Sequence, residues 1–155
     1  MNITVDPRRP ATVLHTSDCH LGTSARREEE AAFERAIALA RDERVDAVLV
    51  AGDLFDHIRV SEETLRWTAE QLDTLACPVV VIRGNHDVFD GRSVHERLMT
   101  AAALEHVHVY LEVRDHPTPV RYPGATATSR GGTPGVVLVD FIPGIGARPR
   151  WVALG

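Results

Sequence analysis

Val45-Asp46-Ala47-Val48-Leu49-Val50-Ala51-Gly52-Asp53-Leu54-Phe55-Asp56 is the stretch on which the fold turns. An apolar run of strand length ends on a glycine and then on a carboxylate. Runs that are apolar at nearly every position read as strands buried on both faces, the habit of covered parallel sheets. The pattern occurs twice more. Val13-Leu14 leads into Asp18-Cys19-His20, and Val79 to Ile82 leads into Gly84-Asn85-His86-Asp87. Open α/β sheets hold ligands at the carboxyl ends of their strands, so the three polar blocks are expected along one edge.

Working outward, Thr12 to Thr16 reads as the first strand and Val45 to Ala51 as the second. Between them, Arg26 to Arg44 has acidic residues at Glu28 to Glu30 and then Phe33, Ile37 and Ala40 at helical spacing. Ser61 is placed to cap a helix that starts with Glu62 and Glu63 and carries Leu65, Ala69, Leu72 and Leu75 on one face. Pro78 ends it and Val79 to Ile82 makes the third strand. Ser93 to Leu104 is expected to be helical and Val107 to Leu111 to be a fourth strand. Strands alternating with helices imply an α/β fold with a parallel sheet. After Glu112, Pro and Gly punctuate a hairpin-rich tail with strands at Val136 to Phe141 and Arg150 to Leu154. The expectation is a single domain over 1–155, with a motif-bearing half (1–111) and a C-terminal tail (112–155).

The chain has 155 residues, enough for one domain with a sizeable core, and a net charge of −5. An acidic balance does not indicate a nucleic-acid footprint, although a local basic patch is compatible with it. Every basic residue other than histidine is arginine, which reads as a compositional bias. Cys19 and Cys77 are too few for a disulfide framework, and Cys77 is expected to be a buried small hydrophobe. No stretch has the length of a membrane span and Met1 to Pro10 lacks an apolar signal core. The expected setting is cytoplasmic, with no membrane.

The polar blocks offer oxygen and imidazole ligands. Asp18 and His20 are two apart, so an extended backbone would send both side chains to one face. Asp53 follows a glycine that lets the chain turn, and a carboxylate there can bridge two cations. Asn85 offers a carbonyl ligand, with Gly84 permitting a tight turn. His86 suits proton donation to a leaving group, and Asp87 would orient an imidazole. Two divalent ions can clamp an in-line displacement at phosphorus and supply the attacking hydroxide, so no serine or cysteine nucleophile is needed. Each block alone is weak, but three in succession after apolar strands describe a metal-dependent hydrolase.

These blocks resemble the motifs of the calcineurin-like metallophosphoesterases. His15-Thr16-Ser17-Asp18-Cys19-His20-Leu21-Gly22 is similar to that family's first motif, Gly52-Asp53-Leu54-Phe55-Asp56 to its second and Gly84-Asn85-His86-Asp87 to its third. The flavour is that of the SbcD-like DNA repair nucleases and small phosphoesterase relatives. Tyr122-Pro123-Gly124-Ala125 followed by Gly135 to Val139 resembles their closing turn and strand. The resemblance implies an αββα sandwich and divalent metal ions, Mn²⁺ first, with Zn²⁺ or Fe as alternatives. It implies Asp18 and His20 on one metal, Asp53 bridging, Asn85 on the second metal and His86 at the leaving group.

The chain departs from the family pattern in one respect. It has no Gly-His-x-His motif, nor the separate ligand histidine that normally comes before it. Too little chain lies between Asp87 and Tyr122 for the strands of a second sheet layer. The expected fold is therefore a sandwich truncated in its second sheet, by an internal deletion near Glu112 to His116. The ligands that remain suffice for one metal and leave the second weakly held.

Of the other histidines, His106 and His108 share a strand face, where the bland reading is partly exposed strand residues. His116 lies in a Pro-rich loop and could reach the metals. His95 is expected to face solvent, His57 to sit on the rim or a loop surface, and His15 to be a satisfied strand residue. The function read from the chain is metal-dependent hydrolysis of phosphomonoesters or phosphodiesters through metal-activated water. One alternative is a catalytically impaired remnant that binds a metal or a partner. The other is an SbcD-like DNA exonuclease, which would want a basic track and a capping region for nucleic acid. A receiver domain needs a lysine near its acidic pocket, and the chain has none. An uncovered apolar sheet face would favour a homo-oligomer.

Overall fold

A computed structural model describes residues 9–23, 26–84, 94–101, 104–110 and 134–154. Along the described chain run β1 (Ala11–Thr16), α1 (Arg26–Asp42), β2 (Ala47–Ala51), α2 (Glu62–Asp73), β3 (Val79–Ile82), α3 (Val94–Ala101), β4 (Val107–Tyr110), β5 (Gly135–Ile142) and β6 (Gly146–Ala153). The strands form a six-stranded sheet in the order β4-β3-β2-β1-β5-β6. Neighbours among β1 to β4 are parallel, and β5 and β6 are antiparallel additions.

Each crossover from β1 to β4 moves one strand in the same direction. Right-handed crossovers then put all three helices on one face of the sheet. That face carries Leu14, Val48, Val50, Val79, Val81, Val107, Val136 and Leu138, packed with Phe33, Ile37, Leu65, Leu72 and Leu98 from the helices. Phe33 of α1 meets Trp67 of α2 with ring centroids 6.0 Å apart. The opposite face is also apolar. Registers align His15, Leu49, Val80 and His108 in one row, continued by Val137 and Trp151.

Local signals account for most boundaries. Ser61 caps α2 by accepting a hydrogen bond of 3.1 Å from the Thr64 amide. α1 stops at Asp42, two residues before the expected end. Arg44 takes a left-handed conformation (φ 50°). The amides of Arg44 and Val45 return to the carbonyls of Arg41 and Ala40, the double closure that normally calls for glycine. The described part of α3 runs to Ala101, and Leu104 is not helical. β6 starts at Gly146, not Arg150, because Gly144 (φ 75°) and Gly146 (φ 99°) close a tight hairpin after Ile142.

Both tail strands join the sheet that the first half builds. Among the described residues there is one sheet, which agrees with the expected loss of a second layer. The expected deletion point near Glu112 to His116 and the Tyr122 to Ala125 turn lie outside the described residues. So does His116.

Cys19 and Cys77 are both free thiols. Cys77 is half-buried instead of buried, and burial pushes its thiol pKa up. No described helix is long and apolar enough to cross a membrane.

Candidate metal centre

Beyond the ends of β1 and β2 the two loops continue to pair. The Asp18 amide donates to the Gly52 carbonyl (3.2 Å), His20 to Asp53 (3.0 Å) and Leu21 to Leu54 (2.9 Å), and the Asp56 amide returns to Leu21 (3.0 Å). Leu21, Leu54 and Phe55 between the polar residues are fully buried. Those apolar residues anchor the loops in the core, so the polar ones are held at the sheet edge by rigid backbone.

Asp18, His20 and Asp53 each present one ligand atom, and the three atoms lie within 4.8 Å of one another. His20 is 2% exposed and Asp53 6%, while Asp18 is half-buried. The route to this convergence differs from the one expected. Asp18 and His20 do not lie on an extended backbone, for their φ angles are +51° and +48°. Asp53 is left-handed too, at +50°, after Gly52 at +92°. Arg44 is the fourth non-glycine residue of this kind among those described. Such conformations disfavour ordinary L residues and persist where surrounding structure imposes them. Three of the four coincide with the three converging ligands.

The donor chemistry fits a divalent ion. Two carboxylates and an imidazole are hard to borderline ligands that suit Mn²⁺, Fe²⁺ or Zn²⁺. His20 Nε2 lies 3.7 Å from Asp18 Oδ1, too far for a good hydrogen bond and compatible with two ligands that share an ion. Ser17 Oγ donates to Asp18 Oδ2 at 2.6 Å, fixing the carboxylate. On the other side of the histidine ring, Nδ1 lies 3.1 Å from Asp56 Oδ1.

Gly84, the last described residue of the third block, packs against Asp53. A Cβ built on it would stand 2.1 Å from Asp53 Oδ1 and 2.4 Å from the Asp53 amide nitrogen. The glycine is therefore required by space, and its own φ does not lie in the left-handed region; the tight turn expected of the block lies outside the described residues. Asn85, His86 and Asp87 lie outside the described residues. The contact at Gly84 nevertheless delivers the chain entering that block to the Asp53 carboxylate.

The other histidines separate clearly. His95 is 1% exposed and meets Phe55 of the second block edge-on, at 5.9 Å between ring centroids, which corrects the expectation that it faces solvent. Its helix is tied to the loop after the second block by Arg97, which donates to the carbonyls of Ile58 (3.2 Å) and Val60 (2.8 Å) and to Glu62. His106 Nε2 lies 3.1 Å from the Leu72 carbonyl at the end of α2, so the ring is engaged there. His108 lies on the sheet face opposite the helices. His15 is half-buried with no hydrogen-bond partner at Nε2, so it is not the satisfied strand residue expected. His57 is exposed.

In the sequence Asp56 stands out only as part of its block. The signal for its role is nonetheless present in the spacing. A residue three after Asp53, on a loop paired with the His20 loop, arrives beside the far nitrogen of that ring.

A family model of calcineurin-like phosphoesterases matches residues 11–135. The SbcD component of the SbcCD nuclease of Bacillus subtilis is 32% identical over 125 residues, covering 73% of this chain and 30% of the relative. Its counterpart in Escherichia coli K12 is 32% identical over 152 residues, covering 89% and 33%. The DNA double-strand break repair protein Mre11 of Methanopyrus kandleri is 37% identical over 85 residues, covering 49% and 19%. The chain thus spans about a third or less of the length of these relatives.

Proposed function

We propose that this chain, which belongs to the calcineurin-like phosphoesterase family, is a metal-dependent hydrolase of phosphoester bonds. The observation that carries the reading is the convergence of Asp18, His20 and Asp53 to within 4.8 Å. In this reading Asp18, His20 and Asp53 would hold one divalent ion, and the motif assigns Asn85, with Asp53, to a second. Divalent ions held there, Mn²⁺ by preference, would supply charge neutralisation at phosphorus and a nucleophile at neutral pH. Ser17 keeps the Asp18 carboxylate oriented, and Gly84 lets the backbone entering the third block lie against Asp53. His86 is assigned to the leaving oxygen and Asp87 to orienting an imidazole, both from the motif alone. The reading takes residues 1–155 as one domain working in a reducing cytoplasm, in keeping with its two free cysteines.

Hydrolysis of bis-p-nitrophenyl phosphate in Mn²⁺ tests it. Turnover that requires Mn²⁺ and disappears in Asp53→Ala is the expected result. Absence of metal-dependent turnover at high protein concentration overturns the enzyme reading and leaves the impaired remnant.

A second, narrower reading is favoured by the names of the relatives. Two are components of a nuclease and one is a DNA break repair protein, so the phosphodiester would belong to DNA. Mn²⁺-dependent shortening of a linear duplex, absent in Asp53→Ala, supports that substrate. Turnover of the small phosphodiester with no action on DNA rules it out.

A further inference from the structure

We infer that Asp56 is a positioning residue. Its carboxylate fixes His20 as the tautomer protonated at Nδ1, so that the Nε2 lone pair faces Asp18 and Asp53. This inference rests on the metal-centre reading above and assigns a role to a residue outside the ligand set.

The argument starts from donor and acceptor capacity. A carboxylate accepts hydrogen bonds and does not donate them, so the 3.1 Å contact between His20 Nδ1 and Asp56 Oδ1 requires the proton on Nδ1. In the neutral ring only one nitrogen carries a proton. Nε2 then carries the lone pair, and it is the nitrogen on the Asp18 side, 3.7 Å from Oδ1. The opposite tautomer would set a lone pair against the Asp56 oxygen and point an N–H into the space between two carboxylate ligands.

Backbone geometry makes the contact hard to escape. The Asp56 amide donates to the Leu21 carbonyl at 3.0 Å and the Leu21 amide to Leu54 at 2.9 Å, so Asp56 lies beside the residue that follows His20. Leu21 and Phe55 pair as an isolated bridge, and both are fully buried. The His20 ring is itself 2% exposed, which denies it the freedom to flip. A carboxylate behind a ligating imidazole both orients the ring and raises its basicity. Sequence alone suggests such a role for Asp87, next to His86. For His20 the structure gives it to Asp56, on a different loop.

The test compares Asp56→Ala, Asp56→Asn and the parent chain. Mn²⁺ titration calorimetry of Asp56→Ala is expected to show affinity lower by about 10–100-fold. Asp56→Asn retains an oxygen that accepts from Nδ1–H, and is expected to recover part of that loss. Equal loss in both variants overturns the tautomer argument in favour of a simple charge effect. Unchanged affinity in Asp56→Ala overturns the inference entirely.

Long-range ¹⁵N–¹H spectra of the metal-free protein, with the ring neutral, give an independent readout. Nδ1–H is expected for His20 in the parent chain, and Nε2–H there overturns the proposal. Thermal melts in EDTA separate a positioning effect from loss of fold, the variants being expected to stay folded. If the parent chain binds no Mn²⁺, the metal-centre reading fails, while the metal-free spectrum still decides the tautomer.

Discussion

On the helix side of the sheet Leu14, Val50, Val79, Val81, Val136 and Leu138 are each exposed by 1% or less, whereas on the opposite side Phe141 and Trp151 are exposed by 44% and 49%. Val13, His15, Leu49, Val80, Ile82, Val137 and Val139 on that second side are all half-buried. The two faces are built from similar side chains and differ in their cover. Sheets that expect water on one face alternate apolar with polar residues, whereas β2 and β3 are apolar at every position. The composition of the second face is that of a surface meant to be covered. The chain thus keeps the pattern of a two-layered sandwich, while its described residues form one sheet.

The comparison is broken most directly by cutting equal volumes from the two faces. Leu138→Ala, on the helix side, is expected to cost about 2–5 kcal/mol in urea unfolding, because the cavity is enclosed. Leu49→Ala, on the opposite side, is expected to cost about 1 kcal/mol, since a half-buried leucine has less apolar area to lose. Equal losses would mean that the second face is as well packed as the first.

A milder change sharpens the contrast. Phe141→Ser combined with Trp151→Ser is expected to alter stability by less than about 1 kcal/mol. It should also lower apolar dye binding and any concentration-dependent sedimentation of the parent chain, because these side chains dominate the exposed patch.

The smallest effect concerns His15, whose cross-strand neighbours on the open face are Leu49 and Val137. Burial lowers its pKa below the ordinary value of 6.5. The unfolded chain then binds the proton more readily, so stability is lost as pH falls below about 6.5 and continues to fall until the folded-state value is passed. His15→Phe should flatten that part of a stability-versus-pH curve, and an unchanged slope would show that another group controls it.

The order of strands and helices was legible in the sequence because apolar runs, Ser61 and Pro78 are local signals. The site blocks were legible for the same reason: each follows a strand that ends in Gly or a short polar step. The conformation that unites them was not. Alternation suggested that Asp18 and His20 would converge by being extended, yet both are left-handed, imposed by pairing with a loop far away in sequence. Gly84 was legible as a residue that permits a turn, but not as one that the Asp53 carboxylate on the loop after β2 leaves no room to replace. His95 sits on a short helix whose exposed side could not be assigned without knowing where Phe55 packs. Asp56 was visible as a residue but not as a partner of His20, since that relation exists only once the two loops are laid side by side.

β1 is held on its outer edge by β5, and Thr12 Oγ1 donates to Asp140 Oδ1 at 2.7 Å across 128 positions of chain. Contacts this distant in sequence make folding slow and expose partly formed sheets to wrong pairing. On the ribosome the strand that carries the Asp18 and His20 loop emerges long before its second neighbour. At about 5–20 residues per second it would wait on the order of ten seconds with one edge open. During vectorial synthesis β1 is thus flanked on both edges only once β5 has emerged, and a nascent chain stalled before the β5–β6 hairpin would leave that edge of β1 open beside the ligand loop.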